Sequence, residues 1–128
     1  MNLCWKVYLD KKNKHYSFAI AKNINSNKYL LVNLTSFKTE GQFNFYNGCK
    51  FNKSEMYKIL TPHIYNLRGR NYSFIFFNKD SSITEKDLLD RIKGEKQANF
   101  PEEFKHRVKT DVKSRLRGDL KREFGDCL

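Results

Sequence analysis

At 128 residues, with 39% apolar and 30% charged side chains, the chain is long enough for one small domain with a core of its own, and its apolar spacing is too regular for a disordered polymer. It contains no apolar run approaching the roughly 18 residues of a membrane span, and Met1 to Lys6 lack the apolar stretch of a signal peptide. The formal net charge of +11 is uneven: residues 1–80 hold 13 Lys/Arg against four Asp/Glu, a balance of +9, whereas residues 81–128 hold 12 against ten, a balance of +2.

In chain order, Leu3, Trp5, Val7 and Leu9 recur at period two and predict a half-buried strand, with Lys6 and Tyr8 on its other side. Asp10 to Lys14 is a polar turn with three lysines, and His15 to Ala21 is a second strand. Asn23 to Asn27 reads as a turn, because Asn tolerates left-handed backbone angles. Tyr29 to Leu34 is almost wholly apolar and predicts a central strand. Gln42 to Tyr46 alternates as a fourth strand, and Asn47-Gly48 is a turn signal. Residues 55–61 fit a short helix or a strand, with the alternation of Met56, Lys58 and Leu60 favouring the strand. Leu67 to Asn71 is a tight turn, and Tyr72 to Phe77 another strand.

The last third is helical. Thr84 with Asp87 three residues on has the form of an N-cap, Ile83 and Leu88 fit a hydrophobic staple, and Gly94 suits a helix stop. Pro101 opens a longer helix whose first turn carries Glu102 and Glu103, where the helix dipole favours acids. Phe104, Val108, Val112, Leu116 and Leu120 recur every four residues, a stripe that packs on the sheet, and Gly118 interrupts it. The expectation is an α+β fold: a small curved antiparallel sheet or SH3-like barrel followed by two C-terminal helices, in a single domain over 1–128 that is mainly β to residue 80 and mainly α after it.

Cys4, Cys49 and Cys127 are an odd set, widely spaced, without a CxxC pair; this predicts a reducing cytoplasmic setting and inert thiols, with Cys127 as the one candidate for a reactive surface thiol. His15, His63 and His106 are isolated, so neither a metal site nor a cofactor is expected, and no Gly-rich phosphate loop is present.

An excess of positive charge on a folded β surface attracts polyanions, and phosphate backbones are the commonest of these. A metal-free reaction open to such a chain is RNA cleavage by the 2′-hydroxyl, which needs a base, an acid and a group that stabilises the pentavalent phosphorane. Two clusters carry suitable residues: Lys14, His15, Tyr16 and Ser17 at the entrance to the second strand, and Thr35, Ser36 and Lys38 at the exit of the third. If the two strands pair as a hairpin, both clusters meet at one end of the sheet; polar residues at strand ends are also ordinary turn formers. Thr35, Ser36, Lys14, His15 and Tyr16 are the catalytic candidates. Lys11, Lys12, Lys38, Arg68, Arg70, Tyr65 and Tyr72 are the candidate nucleic-acid contacts, the last four because Arg-Gly-Arg between tyrosines offers phosphate contacts and stacking surfaces. The alternating acids and bases of the final helix read as a solvated face or a partner surface.

The order of Leu3 to Leu9 with its tryptophan, then a polar loop, then His15 to Ala21, then Tyr29 to Ser36 ending in Thr-Ser, resembles the opening of PemK/MazF-type toxins over about residues 3–46. The resemblance implies an SH3-like barrel with helices, often a homodimer, that binds single-stranded RNA; many such proteins are cofactor-free endoribonucleases neutralised by an antitoxin. It places Thr35 and Ser36 on the family's Thr/Ser pair. Tyr16 falls where the family carries its catalytic Arg, and Ser17 where it has Pro. Tyrosine lacks a fixed positive charge, so Lys14, Lys38, Arg68 or Arg70 would have to substitute. The expected function is therefore an RNA-binding module with metal-independent endoribonuclease activity. The alternatives are a non-catalytic nucleic-acid-binding domain, and a basic inhibitor or adaptor for an acidic protein surface.

Overall fold

The apolar strand around Leu31 finds partners on both sides and becomes the centre of the fold. The computed structural model describes residues 2–10, 15–37, 48–52, 72–77, 81–94 and 100–128. Six strands form one antiparallel sheet: β1 (Tyr8–Leu9), β2 (Tyr16–Asn23), β3 (Lys28–Phe37), β4 (Gly48–Asn52), β5 (Tyr72–Phe76) and β6 (Ser82–Thr84). The strand order is β1-β2-β3-β5-β4, with β6 also on β3. Along one edge of β3, Lys28 to Leu30 pair with β6 and Asn33 to Phe37 pair with β5. The sheet curls as a half-barrel. An irregularity in β2 between Ala19 and Ala21 inserts Ile20 into the ladder, the kind of bulge that sharpens twist and curl.

Asn23 to Asn27 forms the expected turn. The Asn23 carboxamide oxygen accepts from the backbone N–H groups of Asn25 (2.9 Å) and Ser26 (3.2 Å), and Asn27 sits at φ 57°. Three helices follow the sheet: α1 (Glu85–Arg91), α2 (Glu102–Arg115) and α3 (Gly118–Phe124). Thr84 caps α1, its Oγ1 accepting from the Asp87 N–H at 3.3 Å, and α1 runs out through a 3-10 turn, Ile92–Gly94. Ile83 and Leu88, the predicted staple, are both buried in one cluster. Pro101 occupies the cap position just before α2. The expected long helix breaks at Leu116 and Arg117, both extended (ψ 138° and 159°), and Gly118, at φ 57°, opens α3, so three helices stand among the described residues where the periodicity predicts two.

The four-residue stripe does pack on the sheet. Phe104, Val108, Val112, Leu116, Leu120 and Phe124 join Phe18, Ile20, Leu30, Val32, Leu34 and Ile75 in one large cluster. Residues of opposite parity, Ala19, Tyr29 and Leu31, face the other side of the sheet and pack with Leu88 of α1. Each fully buried Leu, Ile or Phe contributes about 1.5–3 kcal/mol relative to exposure, so these two clusters dominate the stability.

Two local expectations are corrected. Leu3 to Leu9 is not one alternating strand. Trp5 takes φ 66° and donates its N–H to the Ala19 carbonyl at 2.8 Å, which turns the chain and leaves only Tyr8–Leu9 to pair with β2. The inward residues are consequently Leu3, Val7 and Tyr8, while Leu9 is 43% exposed. Gly48 is not a turn residue but the first residue of β4, paired with Phe76. Residues 42–46, 55–61 and 67–71 and Asn47 lie outside the described residues.

Candidate functional site at the paired ends of β2 and β3

β2 enters the sheet at Tyr16, and the ladder sets Tyr16 opposite Leu34 and Ser17 opposite Asn33. Thr35 and Ser36 are the next two residues of β3, so the His15-Tyr16-Ser17 and Thr35-Ser36 segments meet at one end of the sheet, as their hairpin pairing predicts. Across the next ladder, Thr35 pairs with Phe74, Ser36 with Ser73 and Phe37 with Tyr72, which brings the backbone of Tyr72 to the same end. Lys11, Lys12, Lys14, Lys38, Tyr65, Arg68 and Arg70 lie outside the described residues.

The two sides of β2 differ in character here. Tyr16 is half-buried and packs its ring against the large apolar cluster. On the other side, a polar row crosses three strands. Tyr8 pairs with Ser17, and Ser17 with Asn33. The Ser17 hydroxyl, 1% exposed, donates to the Asn33 Oδ1 at 2.7 Å. The Tyr8 hydroxyl is buried beside them and makes no hydrogen bond of ordinary geometry among the described residues.

A guanidinium closes the row. Arg91, in the last turn of α1, reaches β1 and donates from Nη1 to Oδ2 of Asp10 at 3.4 Å; its side chain is 47% exposed. Burial pushes the Tyr8 hydroxyl above its ordinary pKa of 10.0, and Arg91 and Ser17 stand close enough to oppose that rise. The Asp10 N–H also donates to the His15 carbonyl at 2.9 Å, which ties the entrance of β2 to the Asp10–Arg91 pair.

Sequence reasoning found His15, Tyr16 and Thr35 here and missed Tyr8, Asn33 and Arg91. One of the missed residues carries a signal in hindsight: Asn33, like the Ser17 already singled out, is a polar residue inside an otherwise apolar strand, and burial there requires a partner. Arg91 carries none, because it reaches the row from 81 residues away.

Such an arrangement can bind an anionic oxygen. Arg91, half-exposed and paired with Asp10, offers a fixed charge with several N–H donors, and the Asn33 amide offers two more, with the buried Tyr8 hydroxyl behind them. Among the described residues no group of three or more His, Cys, Asp or Glu is placed to hold a metal ion, and no helix is long and apolar enough to cross a membrane. Of the cysteines, Cys127 is half-buried, and its pKa is raised by burial and by Asp126 and Glu123.

In comparisons with protein-family models, with curated proteins and with solved structures, nothing matches this chain.

Proposed function

We propose that this chain is a single-stranded-RNA-binding module that engages backbone phosphate at the β2–β3 end. The observation that carries the reading is Arg91 brought against the buried Tyr8–Ser17–Asn33 row, in a chain of net charge +11. Arg91 supplies a fixed positive charge at this end of the sheet, on the face opposite the Tyr16 ring, and it does so from a helix instead of from β2. The curled sheet with helices after it accords with the barrel-like architecture that the resemblance implies.

The convergence of His15 with Thr35 at the end of the β2–β3 ladder, with Tyr16 on the opposite face beside Leu34, favours a second reading, metal-independent cleavage of the bound strand. In that reaction the 2′-oxygen attacks the adjacent phosphorus and loses its proton to a base, the P–O5′ bond breaks, and the leaving 5′-oxygen takes up a proton. The products are a 2′,3′-cyclic phosphate and a 5′-hydroxyl end.

One experiment addresses both. The purified protein is incubated with a long single-stranded RNA in EDTA, and the products are resolved on native and denaturing gels. A salt-sensitive shift, weakened in Arg91→Gln, supports the binding module. Discrete fragments ending in cyclic phosphate, absent with Thr35→Ala, establish cleavage as well. RNA that is neither shifted nor cut at low salt overturns both readings and assigns the basic surface to an acidic protein partner, such as an antitoxin.

A further inference from the structure

The opposite end of β2 carries a second feature that the β2–β3 site does not use. Four to six residues from Tyr16, or about 13–20 Å along the strand, an open groove of about 470 Å³ lies between the Cys4–Trp5 turn, the bulged part of β2 and α2. Trp5, Lys22 and Lys109 line it, with Cys4 and Cys127 in its walls and Ile24, 82% exposed, at its rim. None of the described residues that line it is acidic, although Lys22 is paired from outside it with Glu85 at 3.4 Å.

Trp5 is held there firmly. A φ of 66° is unusual for a bulky side chain, and strained positions of this kind persist where the surroundings enforce them. The Trp5 N–H is bonded to Ala19, and its ring packs at 5.6 Å from Phe18 and 5.3 Å from Phe100. Lys105 and Lys109 stand over the same ring at 5.7 and 5.9 Å. An immobilised indole beside two ammonium groups offers a platform for a base with phosphate contacts next to it, the combination that non-sequence-specific single-strand binders use. Burial pushes the Cys4 thiol up to about 11 against the nearby Lys109 and Lys22, so at neutral pH this wall presents an uncharged thiol to an approaching phosphate.

We propose that this groove binds an unpaired segment of single-stranded RNA, with a base against Trp5 and phosphate at Lys109 and Lys22, as a second contact for the strand held at the β2–β3 end. The inference rests on the RNA-binding reading above. The spacing of about 13–20 Å suits a strand several nucleotides long, within the roughly 4–16 nucleotides that single-strand-binding folds cover.

Trp5 is the only tryptophan of the chain, so its emission reports on this groove alone. An oligouridylate is titrated into the full chain while two signals are followed: anisotropy of an end-labelled oligomer for binding, and Trp5 emission with the unlabelled oligomer for its place. The expected result is quenching of Trp5 that saturates in step with anisotropy. Lys109→Gln should weaken binding and reduce the slope of log K against log salt by about 0.7, the loss of one single-strand phosphate contact. Lys109→Arg should restore the slope, which separates loss of charge from damage to the fold. A rise in anisotropy with Trp5 emission unchanged and the Lys109→Gln slope intact would overturn this inference and leave the RNA-binding reading standing. No anisotropy change at low salt would overturn both.

Discussion

Asn27 and Glu85 clasp each other from both ends: the Asn27 side-chain amide donates to Glu85 Oε2 at 2.9 Å, and the Glu85 backbone N–H donates to the Asn27 carbonyl at 3.2 Å. The turn between β2 and β3 is thereby fastened to the first residue of α1. Lys22 and the Tyr29 hydroxyl also reach Oε1 of the same carboxylate, at 3.4 and 3.3 Å. The Asn27 hydrogen bond holds the Glu85 carboxyl below its ordinary pKa of 4.5; partial burial works against this, and the Lys22 and Tyr29 contacts add to it. A carboxyl whose folded pKa is depressed contributes stability above its unfolded pKa and loses it as the pH falls through the folded value. Denaturant midpoints should therefore drop below pH 4.5 in part through Glu85. Glu85→Gln should lower the neutral-pH midpoint and flatten this acid limb; an unchanged pH profile would remove Glu85 from the clasp.

The buried Tyr8 hydroxyl leads to a prediction of opposite sign. A buried hydroxyl without a partner costs about 1–3 kcal/mol of desolvation, whereas its removal at constant shape is neutral or favourable. Tyr8→Phe should hold or raise stability by about 1 kcal/mol in urea titrations. A clear loss of stability would mean that the hydroxyl has a structural partner, such as an ordered water.

Ser17 and Asn33 form a buried pair, and removing half of it leaves the other half exposed to the full desolvation cost. Ser17→Ala should destabilise by about 1–3 kcal/mol, and the effect should be smaller when Asn33→Leu is present as well. A double-mutant cycle by chemical denaturation measures the difference. Strict additivity would deny the coupling that the 2.7 Å hydrogen bond implies.

Gly118 opens α3 in the left-handed region, directly after the extended Leu116 and Arg117 that break the helix. A Cβ built there meets nothing within 4 Å, so a substitution is opposed only by the left-handed φ of 57°. Gly118→Ala should cost about 1–2 kcal/mol, and Gly118→Asn less, because Asn tolerates this region. Thermal unfolding of the two variants gives the ranking; equal stability of Ala and Gly would mean that the left-handed φ carries no cost at this position.

Thiol chemistry tests the groove wall without any ligand. With its pKa near 11, Cys4 is almost wholly protonated at neutral pH, and only the thiolate is a good nucleophile. In a Cys49→Ser background, alkylation of Cys4 followed by mass spectrometry should be slow near neutrality and keep accelerating up to about pH 11. Rapid modification at neutral pH would mean an exposed thiol and a different wall.

Features set by neighbouring residues were legible in the sequence. The Asn23–Asn27 turn, the Thr84 cap and the stripe from Phe104 to Leu120 each follow from side chains within a turn or two of one another, and all three are present. The meeting of His15-Tyr16 with Thr35 was legible for a related reason, since a hairpin with a short turn leaves little choice of pairing. The Leu3–Leu9 alternation misled because one left-handed residue, Trp5, resets the parity, and the hydrogen bond that holds it comes from Ala19 on β2. Arg91 was invisible because periodicity on α1 marks only which face is buried, not which distant strand its end will touch.

The large cluster also sets an order of events during synthesis. Leu116, Leu120 and Phe124 cover the sheet face formed by Phe18, Ile20 and Val32, yet they are made about a hundred residues later. While the chain grows on the ribosome that face has no lid, and it stays greasy and open until Phe124 clears the exit tunnel. The nascent domain is thus most prone to sticking and to chaperone capture before its last helix docks.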